Sequence, residues 1–357
     1  MTLRALPYVF LIAASTASAQ TSGRLTQVDG DVFIKVGETE SPGKLNQAVP
    51  GGGRVRTGAD GAAEVTLDDG TMIRVRASSQ VALSASPRPE KKNSVVLFFG
   101  RVWSKVVKST NGASNYEVNT PNAVAGVRGT EFETAVADNG KARVSVTEGK
   151  VAVSADHDAD GTTVGKGQAA DAAADGVQAP KAAGDDTSWK SWDDDGASGA
   201  RSGGAGIAKN MHSKIDARQQ QLKALSDQLA GLVRQRDSAL QRADMDPSTA
   251  ADVNKLNDQI AKVGSKIADL GDASSAQFGY VDHLADLAND PRFNMIDRKT
   301  MLAEAGTLRK LKAQFDKMVK EGTDMSQKGM SDMMKDMRKG KSTIKDKPGS
   351  SADDLFK

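Results

Sequence analysis

Asp156, Asp158 and Asp160, followed by Gly161, are spaced like the first half of a calcium-binding loop, in which alternate carboxylates converge on one ion. The full pattern needs a glutamate near the twelfth position, and Gly167 stands there instead. The segment is therefore expected to be an acidic hairpin turn with His157 facing solvent. Calcium should then leave the melting temperature unchanged. A second candidate is Arg128, set among Gly126, Gly129, Thr130 and Glu131. Its planar fork can hold a carboxylate or the carbonyls at strand ends. The segment reads either as an internal brace or as a partner-binding corner. Bracing is the stronger expectation, because two glycines bring backbone close to the guanidinium. On that reading Arg128→Ala breaks a buried pair, at a cost of about 3–5 kcal/mol.

Other chemistry is scarce. The chain has no cysteine, which excludes disulfides, thiolate metal sites and thiol catalysis. Three histidines leave little for a histidine triad. The chain contains no G-x-S-x-G, H-E-x-x-H or P-loop motif, and no G-x-G-x-x-G after a strand. It is expected not to be an enzyme and to need no cofactor. Lys and Arg total 48 against 46 Asp and Glu, a formal charge of +2. Nucleic-acid binding needs a strong basic excess, so nucleic acid is not expected as a partner.

The elements that would carry these residues change character along the 357-residue chain. Arg4, the apolar run Ala5 to Ala14 and Ala17-Ser18-Ala19 have the order of a secretory signal peptide, so residues 1–19 are expected to be removed and Gln20 to lead the mature chain. No later run reaches the length of a membrane span, so no transmembrane segment is expected in the mature protein. From 20 to 170 the apolar period is two, punctuated by Asp29-Gly30, Asp69-Gly70 and Asn139-Gly140. Roughly a dozen short strands are expected there. Val95 to Phe99 is continuously apolar, as a strand buried on both faces would be.

Residues 171–206 are rich in Ala, Gly, Asp and Ser and are expected to form a disordered linker, with Trp189 and Trp192 either loose within it or docked back on a domain. From 207 to 321 the period is helical. Leu222, Leu225, Leu229 and Leu232 form one stripe, and Val253, Leu256, Ile260, Val263, Ile267 and Leu270 form another. Asp246-Pro247-Ser248 between them should turn the chain into an antiparallel hairpin. A third helix is expected from about Ile296 to Val319. The Met- and Lys-rich residues 322–357 read as a flexible tail in the form of a frayed terminal helix. The fold class is thus multidomain, β then α: an all-β solenoid-like or sandwich domain of short strands, a linker, and a coiled-coil-like helical bundle.

The β half resembles the FecR-type domain, named for periplasmic regulators of ferric-siderophore uptake. The resemblance is carried by ordered pieces at Gly51–Val75, Val95–Val106, Tyr116–Val136, Arg143–Ala155 and Gly165–Ala169, and most specifically by the run Gly126 to Phe132 after Thr120-Pro121. It spans roughly 21–170. It implies a compact stack of short strands with a non-catalytic interaction role. The regulators of that family also carry a cytoplasmic anti-sigma segment and a membrane helix, for which the residues ahead of the hydrophobic run are expected to be too few. The expectation is an exported, non-enzymatic cell-envelope protein, periplasmic or secreted, that binds a protein or glycan. Its helices would provide homo-oligomerisation or a second contact. The alternatives are an assembly protein driven by its helical half, and a sensor feeding a separate membrane-bound anti-sigma regulator.

Overall fold

The computed structural model describes residues 21–85, 93–108, 116–157, 159–243 and 250–345. The strands are β1 (Gly23–Asp29), β2 (Val32–Val36), β3 (Thr39–Pro42), β4 (Ala48–Val49), β5 (Arg54–Thr57), β6 (Ala62–Leu67), β7 (Met72–Val75), β8 (Gln80–Leu83), β9 (Asn93–Lys105), β10 (Tyr116–Asn119), β11 (Val124–Val127), β12 (Glu131–Val136), β13 (Ala142–Glu148), β14 (Lys150–Ser154), β15 (Thr162–Gly165), β16 (Gln168–Ala173), β17 (Gly176–Val177) and β18 (Lys181–Ala182). Three helices follow: α1 (Asp186–Ala243), α2 (Ala250–Leu287) and α3 (Met295–Lys345).

The strands form two layers. One runs β4-β1-β6-β7-β9-β12-β13-β16, with β17 and β18 both on β16. The other runs β3-β2-β5-β8-β9-β10-β11-β14-β15. Pairing is antiparallel except between β9 and β10. Alternate residues face inward, as in β6, where Ala63, Val65 and Leu67 are buried, and β13, where Ala142, Val144 and Val146 are. These faces meet residues such as Ile34, Val55, Leu97 and Val153 of the other layer in a single apolar core.

One strand belongs to both layers. The first half of β9 pairs with β8 and β10, and the second half with β7 and β12. The change falls at Gly100, whose φ is +86° and whose absent Cβ would lie 2.5 Å from Ser79 Cα. Only glycine fits a left-handed conformation that close to neighbouring backbone. The apolar run in β9 is buried on both faces, as its composition predicts. Val95 and Leu97 enter the sandwich core, while Val96 and Phe98 form a second cluster with Ala82 and with Ala276 of α2.

The helices form a three-helix bundle laid against the sandwich. Leu222, Leu229, Ile260, Val263, Ile267, Leu308 and Phe315 are buried together, which matches the apolar stripes. The turn expected at 246–248 and the segment 1–19 lie outside the described residues. Among those described, no helix is long and apolar enough to cross a membrane. Polar contacts also tie α2 to the sandwich. Ser84 and Ser94 donate their hydroxyls to Asp272 at 2.7 and 2.8 Å, and the Tyr280 hydroxyl donates to the Asp138 carbonyl at 2.8 Å.

Residues 171–206 correct the expectation of a disordered linker. They complete β16, supply β17 and β18, and then form the first turns of α1. Trp192 is buried against Ala135 and Ala137, with Trp189 packed beside it. The two rings meet edge to face at 5.8 Å. Arg101 lies 4.2 Å from the Trp189 ring centre and Arg143 5.0 Å from that of Trp192. Arg143 is held by two bonds to Asp171, at 2.5 and 2.9 Å, and Lys181 donates to the same carboxylate at 3.0 Å. Helix α3 continues to Lys345, through the stretch in which a frayed terminal helix is expected, and residues 346–357 lie outside the described set.

This cluster gives an acid-stability prediction. Burial works to raise the Asp171 pKa, but the hydrogen bonds from Arg143 and Lys181 outweigh it and leave the pKa below its ordinary value of 3.8. A depressed carboxylate stabilises the fold above its unfolded pKa, and that contribution is lost as pH falls through the folded value. Asp171→Asn should therefore lower stability at neutral pH and flatten its dependence on pH below about 4. Tryptophan emission during acid titration reports both, because Trp189 and Trp192 rest on the same arginine. An acid limb identical in the two proteins would exclude this role for Asp171.

Candidate functional site

Charged groups converge where the β10-β11-β14 region of the sandwich meets α1 and α2. Strand β10 is buried on both faces. Tyr116 and Val118 point into the sandwich core, and Glu117 alternates to the other side. In register across the layer, Glu117 pairs with Gly126, and Gly126 pairs with Ala152. Two small residues thus flank the carboxylate on its own face of the sheet. Glu117 is only 1% exposed. A carboxylate buried this deeply needs a partner charge.

His157 supplies it. The residue follows β14, and its Nε2 lies 2.9 Å from Glu117 Oε1 and 3.9 Å from Asp269 Oδ1 of α2. Its side chain is 13% exposed, which corrects the expectation of a solvent-facing histidine. Asp156 Oδ1 lies 3.8 Å from Nδ1, a charge contact rather than a hydrogen bond. Burial opposes the imidazolium, but Asp156, Glu117 and Asp269 outweigh it and raise the His157 pKa to about 9. The ring is therefore a cation at neutral pH.

Two α1 residues complete the seam. Arg218, itself buried, donates to Asp156 Oδ2 at 3.3 Å, and Lys214 donates to Asn122 Oδ1 at 2.6 Å. Burial works to raise the Asp156 pKa, yet the imidazolium and backbone N–H of His157 and the charge of Arg218 bring it down to about 2. Asn119 Nδ2 donates to Glu117 Oε1 at 3.1 Å and to Ser94 Oγ at 3.0 Å. The arrangement is an electrostatic joint between the two halves, built from β10, the turn after β14, α1 and α2.

The calcium candidates are placed as follows. Asp156 accepts the backbone N–H of His157 and faces Arg218. Asp160 is exposed, and Asp158 lies outside the described residues.

The Gly126 to Phe132 segment forms a corner of the sandwich. Gly126 lies within β11, and Gly129 has φ +66°, with a hypothetical Cβ 2.9 Å from Lys108 Cα. Thr130 is buried and donates to the Lys150 carbonyl at 3.0 Å. Glu131 Oε2 lies 3.8 Å from Lys105 Nζ. Arg128 is exposed, where a buried position was expected for a brace. Sequence reasoning missed Glu117, Asp269 and Arg218, which are separated by long stretches of chain. The only local signal was a glutamate set between Tyr116 and Val118 of a short strand.

The family model described as FecR protein matches residues 53–152. The N-terminal half carries a FecR-type domain, and Glu117 and the Gly126 to Phe132 corner fall inside it. Two solved structures of a candidate anti-sigma factor from Parabacteroides distasonis ATCC 8503 are similar, each at 18% identity and a TM-score of 0.30. The similarity covers 36% of this chain and spans 59% of theirs. No curated protein matches the chain.

Proposed function

We propose that this chain is an exported regulatory or sensor protein of the cell envelope, acting by binding a protein partner rather than by catalysis. The observation that carries the reading is the FecR-type domain at residues 53–152. Its motif corner offers Arg128 and the Lys105–Glu131 pair to the outside. Charged groups of this kind set partner choice and association rate more than raw affinity. The helical bundle, tied to the sandwich through the His157 joint, supports transfer of a binding event from one half to the other. A second reading, assembly through the helices, is favoured by Met295, Ile296 and Leu302, which are exposed on α3.

The test uses the full chain in its native envelope. A photo-crosslinking residue at Arg128 should capture a discrete protein, and one at the exposed Lys310 of α3 should not. Capture at Lys310 alone, or of a second copy of the chain, moves the function to the helices. The same preparation tests export. The intact mass should correspond to a chain beginning at Gln20, in the soluble periplasmic fraction. A retained residue 1–19 segment in membranes would exclude that.

A further inference from the structure

We propose that Glu117, His157 and Asp269 form a binding site for a divalent transition-metal ion, best suited to zinc, at the seam between the FecR-type sandwich and α2. One ligand atom from each residue lies within 4.8 Å of the other two. A tetrahedral zinc ion with bonds of about 2.0–2.1 Å holds its ligand atoms about 3.4 Å apart. The distances from His157 Nε2, 2.9 Å to Glu117 and 3.9 Å to Asp269, bracket that value. Small side-chain rotations would bring all three onto one ion.

The donor set selects the metal. One imidazole and two carboxylates suit zinc and its neighbours, whereas calcium takes six to eight oxygens. Glu117 is nearly inaccessible, while His157 and Asp269 are 13% and 20% exposed, so the site opens on one side. That side leaves a fourth position for water.

The surroundings supply what metal ligands need. Asp156 Oδ1 lies 3.8 Å from Nδ1 of His157, where its negative charge raises the basicity of a ligating imidazole. Asn119 holds Glu117 from the side. Asn119 is itself wholly buried, and its Oδ1 has no hydrogen-bond partner among the described residues. A polar oxygen in that state is costly unless something else satisfies it. The charge balance also closes. The imidazolium and two carboxylates sum to one negative charge. An ion of charge +2 with neutral imidazole and the same carboxylates sums to zero, and the proton on Nε2 passes to solvent. The metal takes over the role of the proton in neutralising Glu117, and it adds a bond to α2.

The inference does not depend on the regulatory reading above. Its test takes the full chain, stripped with chelator, and titrates zinc chloride by calorimetry near pH 8 in two buffers of different ionisation enthalpy. Expected are one ion per chain, release of about one proton, and a melting temperature raised by several degrees. His157→Gln and Asp269→Asn should each weaken binding at least tenfold, and Asp160→Asn, in the exposed turn nearby, should not. Cobalt in place of zinc should give the visible absorption of a four-coordinate nitrogen–oxygen site. Melts in chelator establish that each variant folds. If His157→Gln does not, Asp269→Asn and the cobalt spectrum decide alone. No saturable binding up to about 1 mM zinc, or binding unchanged in the folded variants, would overturn the proposal.

Discussion

Phe98→Ala should lower the melting temperature by about 10 °C, the equivalent of roughly 3–5 kcal/mol for an emptied aromatic site. Phe98 is wholly buried, but on the outer face of β9, where it packs with Ala82, Val96 and Ala276. The Arg54 guanidinium covers it at 4.7 Å from the ring centre. Gly279 of α2 lies over the ring so closely that a Cβ there would stand 2.6 Å from Cε1. The loss should therefore fall on the docking of α2 as well as on the sandwich. Gly279→Ala should be destabilising by about 1–3 kcal/mol, since overpacking forces the ring or the helix to move. Combined with Phe98→Ala, the new methyl enters vacated space, and the double variant should lose clearly less than the sum. Strict additivity in thermal or denaturant melts would mean that helix and ring do not share this contact.

The second large effect lies within the motif corner. Phe132→Ala should cost about 3–5 kcal/mol, and Arg128→Ala, four residues earlier, no more than about 0.5 kcal/mol. Phe132 is wholly buried and meets Tyr116 edge to face at 6.2 Å. Tyr116 in turn shares a hydrogen bond of 3.0 Å with Ser104, so the ring pair anchors β12 to β9 and β10. Arg128 is exposed, and replacing an exposed side chain forfeits little packing. A melt of Arg128→Ala as early as that of Phe132→Ala would restore the buried-brace reading that the sequence favours.

The strands were legible because a half-buried strand writes its faces into alternate residues, as β6 and β13 do. The helices were legible from stripes such as Leu222 to Leu232. What misled was the meaning of small residues. A stretch rich in Ala, Gly and Ser looks unable to bury enough surface to order itself. Here those residues let α1 approach closely instead. A Cβ on Gly196 would lie 2.5 Å from that of Ala137, and one on Gly204 would lie 2.5 Å from the Met301 sulfur. Composition alone does not distinguish a flexible linker from a tightly apposed helix. The joint was illegible for another reason. Glu117, His157, Arg218 and Asp269 have ordinary local contexts, and only the tertiary fold brings their charges together. An acidic sequence context suggests an exposed histidine, yet the adjacent Asp156 is part of what holds the His157 proton.

The position of β9 bears on how the chain is made. Ribosomal synthesis delivers residues in order, and β9 can pair with β7, β8, β10 and β12 as soon as residue 136 has emerged. The covering of Val96 and Phe98 has to wait for Ala276, and Ser94 meets Asp272 across 178 residues of chain. During that interval a nascent sandwich carries an uncovered apolar patch at its centre. Transiently exposed surface of this kind is where chaperones bind and aggregation begins. Truncated products that end before α2 should therefore be the aggregation-prone species, even with every strand of the sandwich present.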